Sequence, residues 1–217
     1  MCLSLYSIKY AQSVLPESLV FDGGNKSKTI PISFAIYLVK TKGKNILVDA
    51  GCDTMPMFDM KQFYSPAFAL RQVGISADEI TDLIITHAHH DHIDAVRHFK
   101  NATIHICEEE YAKGQKYIPK DMTVNLFKED FALAPSIKIV KWGGHSSGSS
   151  IVEITTNEVI HIIAGDECYT HKNITDKICT GSYYNKEKAT EFVHKFSHRK
   201  YRVHTCHDIS IKTERII

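Results

Sequence analysis

The stretch that decides the fold is Thr86-His87-Ala88-His89-His90-Asp91-His92, which has the form His-x-His-x-Asp-His. It directly follows Leu83-Ile84-Ile85, a run that favours a β-strand. In extended backbone, residues two apart face the same side, so His87 and His89 are expected to point to one place. Asp91 and His92 fall on the turn into the next helix, so their side chains can face a second point close to the first. Imidazole and carboxylate are ligands for Zn²⁺ and related metals. The expected number of accidental matches to this pattern in a chain of this composition is about 0.003. The motif therefore predicts a metal site.

Three further loops that follow predicted strands carry candidate ligands. Gly143-Gly144-His145-Ser146-Ser147-Gly148-Ser149 places a histidine among small residues, where backbone can approach an ion closely. Asp166 follows Gly165, and His207 follows a strand over 201–203. Taken singly, each is better explained as a surface or capping residue. Their shared position at strand ends favours one common site.

Short runs rich in β-branched residues predict strands, and helical patterns fall between them. The predicted strands are 32–39, 46–48, 83–85, 103–106, 137–140, 151–154, 159–163 and 201–203, with tight hairpins at 42–44 and 156–158. Helices are predicted after the N-cap Asn185, near Asp91 and near Glu108, with a capping box at 76–79. We expect segments 52–74 and 113–136 to be irregular loops or short helices near a site. The pattern indicates α and β elements on antiparallel or mixed sheets, and no repeat or linker divides the chain, so we expect a single domain over 1–217.

Composition narrows the range of partners. The 217 residues carry a formal charge of +1 with no tract rich in Lys or Arg, which argues against a nucleic-acid binder. The longest apolar run is shorter than the roughly 20 residues of a membrane span, and we expect no membrane partner. The N-terminal sequence lacks the features of a secretory signal, and the six cysteines have no short paired spacing, so we expect reduced thiols and a cytoplasmic location.

The order of these motifs resembles the metallo-β-lactamase superfamily. Asp49 in Ile46-Leu47-Val48-Asp49-Ala50-Gly51 matches an early Asp-x-Gly motif of that family, in which the Asp supports the ligands without binding metal. Within the superfamily the chain is most similar to N-acyl homoserine lactonase-like proteins, through segments 73–75, 166–169 and 207–209. Residues 93–96 depart from the small Gly-rich turn usual in those proteins. The resemblance implies an α+β fold, an αββα sandwich of two mixed sheets flanked by helices, with metals at one edge.

The resemblance also implies a ligand set for two divalent metal ions. His87, His89 and His145 would hold metal one. Asp91, His92 and His207 would hold metal two, and Asp166 would bridge the pair. Zn is the default metal, with Fe, Mn or Co also compatible with these donors.

By the same resemblance, the protein is expected to be a hydrolase of ester-like carbonyl compounds, lactonase-like, that uses a metal-bridging hydroxide. Asp91 would pass a proton to the leaving group. Tyr169 would either donate a hydrogen bond to the substrate carbonyl oxygen or only pack the loop. The alternatives are a thioesterase like glyoxalase II, a phosphodiesterase, or an oxidoreductase of the flavodiiron type.

The expected partner is a small-molecule substrate, and a homodimer is plausible from the family. Segments 1–30 and 52–74 are candidate pocket walls. Of the other histidines, His90 is expected to point away from the metals. His105 and His161 are expected to be hydrogen-bonded inside strands, and His194 and His198 to be solvated.

Overall fold

The computed structural model describes residues 3–56 and 59–217. Its strands in chain order are β1 (Ser4–Pro16), β2 (Thr29–Thr41), β3 (Lys44–Val48), β4 (Asp82–Ile85), β5 (Thr103–Cys107), β6 (Val124–Phe127), β7 (Phe131–Ala134), β8 (Ile137–Lys141), β9 (Ser150–Thr155), β10 (Ile160–Ile163), β11 (Tyr201–His204) and β12 (Glu214–Arg215). Its α-helices are α1 (Glu17–Val20), α2 (Pro66–Ala69), α3 (His90–Ile93), α4 (Glu108–Gly114), α5 (His171–Asp176) and α6 (Lys186–Phe196). Short 3₁₀ turns cover Leu70–Val73, Ala77–Glu79, Asp94–His98 and Gln115–Tyr117. No helix in the described ranges is long and apolar enough to cross a bilayer.

The strands form two mixed sheets. The first sheet has the order β12-β1-β2-β3-β4-β5-β6, and the second has the order β11-β10-β9-β8-β7. In the first sheet β3, β4, β5 and β6 pair in parallel, and in the second β10 and β11 do. The hairpins predicted at 42–44 and 156–158 join antiparallel pairs.

Alternation of side chains along the strands sorts the apolar residues into three cores, which makes the layering αββα. In β3, Ile46 and Val48 pack between the two sheets, whereas Leu47 faces the outer core beneath the helices of the first sheet. The third core lies under α6 against the second sheet and contains Phe192 and Val203. The α+β sandwich expected from the sequence is confirmed.

All eight predicted strands are present, but the sequence missed four others. β1 was missed because a register shift between Lys9 and Ala11 breaks its alternation, so thirteen extended residues do not show one period. The two short strands β6 and β7 lie in 113–136, so the expectation of only loops or short helices there was wrong. Segment 52–74 does consist of irregular backbone and short helices where it is described; residues 57 and 58, like 1 and 2, lie outside the described residues.

The predicted helix starts are also borne out. The Asn185 side chain accepts a hydrogen bond from the Lys188 amide at 3.1 Å and caps α6. Ser76 and Glu79 form the reciprocal capping box, although the helix it begins is only a 3₁₀ turn. The helix near Asp91 is similarly short, because α3 continues as a 3₁₀ turn from Asp94.

Phe192→Ala is expected to lower the free energy of unfolding by about 3–5 kcal/mol, because the ring is fully buried against Trp142 and Phe196. Urea denaturation measures the change, and Glu191→Ala on the exposed face of α6 is the control. Since the sheets share a core, we also expect one cooperative transition over the whole chain. A separate transition for the second sheet would contradict the single-domain expectation.

Candidate metal centre

Parallel strand pairing within each sheet brings the candidate ligands to one edge of the sandwich. Parallel strands place their carboxyl ends on the same side, so the loops after β3 and β4 meet in the first sheet. In the second sheet, the loops after β10 and β11 meet in the same way, and the turn from β8 to β9 joins them. The His-x-His-x-Asp-His motif therefore comes from the first sheet. The second sheet contributes His145, Asp166 and His207.

One group of ligand atoms is formed by His87, His89, His145 and Asp166, whose nearest donor atoms all lie within 4.8 Å of one another. Nδ1 of His89 is 3.0 Å from Nε2 of His87 and 2.9 Å from Nε2 of His145. Oδ2 of Asp166 is 3.6 Å from the Nε2 atoms of both of those histidines. The spacing predicted from alternate residues in extended backbone is present.

A second group consists of Asp91, His92 and His207, and Asp166 of the first group also lies beside it. Oδ1 of Asp166 lies 3.3 Å from Nε2 of His92 and 3.2 Å from Nε2 of His207. Oδ2 of Asp91 lies 3.6 Å and 3.5 Å from those two nitrogens. The two oxygens of Asp166 thus face different groups, which is the arrangement of a bridging carboxylate.

These donors fit divalent cations. Nε2 of His92 and Oδ1 of Asp166 are buried and have no hydrogen-bond partner among the described residues. Buried polar atoms are normally satisfied, because leaving one unpaired costs about 1–3 kcal/mol. Neutral imidazoles and carboxylates converging at this spacing are the donor set of Zn²⁺ and similar metals. A pair of metal ions would satisfy both orphaned atoms.

Burial and charge act in opposite directions on the ionisable groups of the site. Burial lowers the pKa of His145 to about 4 and that of His87 well below its usual value, so both imidazoles are neutral at pH 7. Burial also opposes charge on His92, but the carboxylates of Asp166, Asp49 and Asp91 outweigh it and raise the pKa. For Asp166, burial is outweighed by His207 and His92, which hold the pKa well below the ordinary value. The buried carboxylates therefore require positive charge beside them.

Backbone carbonyls fix two of the imidazoles. Nδ1 of His145 lies 2.5 Å from the Ser182 carbonyl oxygen, and Nδ1 of His207 lies 3.0 Å from the Ser33 carbonyl oxygen. Because a carbonyl can only accept, each Nδ1 must donate. In the neutral ring this leaves the Nε2 lone pair facing the site.

Asp49 supports the site from outside, as the family resemblance implied. Its Oδ2 is 2.8 Å from Nδ1 of His92, and it also accepts hydrogen bonds from the Thr86 amide and hydroxyl at 2.8 and 2.9 Å. The residue is buried and has φ 63°, in the left-handed region that only a few non-glycine residues adopt. Such outer carboxylates orient ligand imidazoles and raise their basicity.

Two buried glutamates that the sequence analysis missed hold the ligand loops. Glu110 accepts hydrogen bonds from the Ala88 amide (2.9 Å), the Gly148 amide (3.0 Å) and the Ser146 hydroxyl (2.7 Å). It thereby ties the motif loop of the first sheet to the His145 loop of the second. Its position in Glu108-Glu109-Glu110 resembles an exposed acidic helix start, so the sequence carried no signal for it.

Glu167 performs the same task inside the second sheet. It accepts from the amides of Gly144 and His145 at 3.1 Å and from the Ser149 hydroxyl at 2.5 Å. Burial raises its pKa to about 7. A Cβ at position 144 would lie 2.2 Å from its Oε2, so the glycine next to His145 is required by this carboxylate. In the sequence, Gly144 beside His145 is the feature that indicates a close contact at this position.

A cavity of about 420 Å³ opens onto the metal centre. Ligands from both groups line it, and Tyr169 lies beside them with its ring stacked 5.0 Å from that of His207. The rest of the lining is largely apolar. Leu15, Leu19, Met55 and Pro56 come from the segments expected to form pocket walls, whereas Phe34 comes from β2 and packs on His207. Burial, with Asp166 and Asp91 nearby, raises the pKa of Tyr169 well above its usual value. The phenol therefore keeps its proton at neutral pH.

The remaining histidines follow the sequence expectations. His105 bonds to Asp82 at 3.0 Å, and Nδ1 of His161 lies 2.9 Å from Nε2 of His204. His194 and His198 are exposed. Cys168 and Cys206, which flank ligands, are buried thiols whose pKa values are raised by burial, as expected for inert cysteines.

Residues 35–203 match the sequence profile described as the metallo-beta-lactamase superfamily. N-acyl homoserine lactonase AiiB of Agrobacterium fabrum is 25% identical over 185 residues, which are 68% of this chain and 67% of that protein. An N-acyl homoserine lactonase of Bacillus cereus is 23% identical over 199 residues, 80% of this chain and 79% of that one. Among solved structures, a mutant of B. thuringiensis AiiA with N-decanoyl-L-homoserine bound aligns with a TM-score of 0.83 at 21% identity, covering 98% of both chains. AidC, described as a dizinc quorum-quenching lactonase, aligns with a TM-score of 0.76 at 20% identity over 96% of this chain and 88% of that one.

Glu110→Gln is expected to weaken metal binding about 10–100-fold, because the amide NH₂ cannot accept the bonds that join the two ligand loops. Stability should fall by about 1–3 kcal/mol. Chelator competition measures the affinity and thermal denaturation the stability. Glu109→Gln is the matched control, since that side chain is 43% exposed and, within residues 3–56 and 59–217, bonds only to Cys107 and Lys141. Equal metal affinity in the two variants would show that Glu110 does not support the metal centre.

Proposed function

The chain belongs to the metallo-β-lactamase superfamily, and we propose that it is a metal-dependent hydrolase that opens the ring of N-acyl homoserine lactones. The observation that carries the proposal is the pair of ligand groups that meet at Asp166 and open onto a cavity whose remaining lining is largely apolar. A lactone ring at the metals and an acyl chain along Leu15, Phe34 and Met55 would match this division. The relatives described as N-acyl homoserine lactonases support the substrate class.

We propose the metal ligands that the family resemblance implies. His87, His89 and His145 would hold one ion, and Asp91, His92 and His207 the other, with Asp166 shared. Bound divalent ions would polarise a carbonyl oxygen and lower the pKa of water toward 7, so that no Ser or Cys nucleophile is needed. We propose Zn for both positions, which is supported by the likeness to a dizinc lactonase.

Two side chains of the protein are placed to act on the substrate directly. Tyr169 stays protonated at neutral pH, so its hydroxyl can donate to the lactone carbonyl oxygen as negative charge develops there. Asp91 lines the cavity and, with its side chain 12% exposed, is the most accessible carboxylate of the ligand set. It can accept a proton and pass it to the ring oxygen as the ester bond breaks.

The apolar wall provides the remaining binding energy. Each methylene of an acyl chain that leaves water on this wall contributes about 0.8 kcal/mol. The near-neutral chain, with a formal charge of +1, agrees with a small uncharged substrate better than with a polyanion. We also propose a cytoplasmic location, supported by free thiols at the five cysteines of the described part of the chain. A homodimer remains an expectation from the family alone.

The test is metal analysis of the purified protein coupled to a panel of N-acyl lactones, thioesters, phosphodiesters and β-lactams. We expect about two divalent ions per chain, hydrolysis of the lactones, and loss of activity on chelation that the metal restores. Protein that binds no metal would overturn the mechanism. Turnover confined to thioesters or phosphodiesters would replace the lactone with one of the alternative substrates.

Tyr169→Phe is expected to lower kcat about 10²-fold with little change in KM, because one donor to the developing oxyanion is lost. Metal content and thermal stability should stay as in the wild type, since the ring still stacks on His207. Tyr184→Phe, at a tyrosine 70% exposed, is the control. Unchanged turnover in the Tyr169 variant would mean that the ring only packs the loop.

A further inference from the structure

A second pair of polar side chains lines the cavity without belonging to either ligand group. His90 stands between two ligands in the motif, yet its ring points away from them, as the sequence predicts. Its Nε2 lies 2.8 Å from the Thr54 carbonyl oxygen, and its Nδ1 lies 3.2 Å from the Tyr117 hydroxyl. Both His90 and Tyr117 line the cavity that holds the metal centre.

The direction of these two hydrogen bonds follows from the carbonyl. Because the Thr54 oxygen can only accept, Nε2 of His90 carries a proton, and the neutral ring has no other N–H. Nδ1 is then an acceptor, and the Tyr117 hydroxyl donates its only proton to it. The phenolic oxygen has no other hydrogen-bond partner among the described residues, so it keeps lone pairs that can accept a further hydrogen bond.

This orientation is held from behind. The segment that carries Thr54 is fixed by its neighbour Asp53, whose amide donates to Asp94 at 3.0 Å and whose carboxylate accepts from Arg97 and His98. The carbonyl of Thr54 therefore stays at the position that sets the His90 tautomer. A preorganised acceptor of this kind binds a donor without an ordering cost in the protein.

We propose that the Tyr117 oxygen accepts a hydrogen bond from the N–H of the substrate amide, and that this contact selects N-acylated lactones over lactones that lack the amide. The inference rests on the proposed lactone hydrolysis. Apart from the metal centre and the Tyr169 side, the cavity wall is largely apolar. An unsubstituted N-acyl homoserine lactone has one hydrogen-bond donor, its amide N–H beside the ring. Tyr117 and the ligands His89 and Asp91 line the same cavity, so the Tyr117 side chain and the metal centre face the same bound substrate.

The test compares an N-acyl homoserine lactone with an analogue of equal chain length in which an ester oxygen replaces the amide nitrogen. Chromatography separates ring opening from cleavage of the exocyclic ester. For Tyr117→Phe we expect kcat/KM to fall about tenfold on the amide and to be unchanged on the ester analogue. Calorimetry with the ring-opened products should show the same selective loss of affinity. Tyr111→Phe, at a tyrosine of α4 that does not line the cavity, is the matched control.

A second variant keeps the test valid if Tyr117→Phe folds poorly. His90→Phe removes the acceptor that holds the Tyr117 proton, so the hydroxyl can turn toward the cavity as a donor. The preference for the amide over the ester analogue should then shrink about tenfold. Equal losses on both substrates, or none, in these variants would overturn the role of Tyr117 while leaving lactone hydrolysis intact. If the wild type opens neither ring, the proposed function and this inference fall together.

Discussion

The structure around the site depends on one buried negative charge. Asp166 is only 3% exposed, and its two oxygens lie within 3.2–3.6 Å of four imidazole nitrogens contributed by both sheets. A carboxylate removed from water in this way is costly unless positive charge compensates it. The nearby carboxylates raise the pKa values of His92 and His207, so the negative charge of the site favours a positive charge beside it. The fold therefore has to bring neutral nitrogen donors together at the point where two cations would compensate this charge.

The layers of the sandwich serve this requirement through positions behind the ligands. Backbone carbonyls orient His145 and His207, Asp49 orients His92, and Glu110 and Glu167 hold the loops that carry the histidines. Asp49 directly follows β3, Ser33 lies within β2, and Glu110 lies in the first turn of α4. Ligands held on such rigid supports lose little freedom when they bind, which is how a binding site reaches a defined geometry.

The sequence predicted the parts that rest on local pattern. Period-two apolar runs located eight strands, and the ligand motif with its strand-end partners located the seven residues of the two ligand groups around Asp166. It missed β1, where a bulge breaks the period, and β6 and β7, which are short. It also missed Glu110 and Tyr117, because their roles depend on contacts with loops 22 to 38 residues away and no local signal marks them. Pairing across the fold is what a single sequence leaves undetermined.

The ligand set is divided between the two sheets. The motif after β4 belongs to the first sheet, and His145, Asp166 and His207 belong to the second. A metal pair bound here would act as a cross-link that closes the sandwich, in the manner of a disulfide but reversible and dependent on metal supply. The free energy of metal binding would then be added to that of keeping the sheets together, so metal scarcity would loosen the fold as well as silence the site.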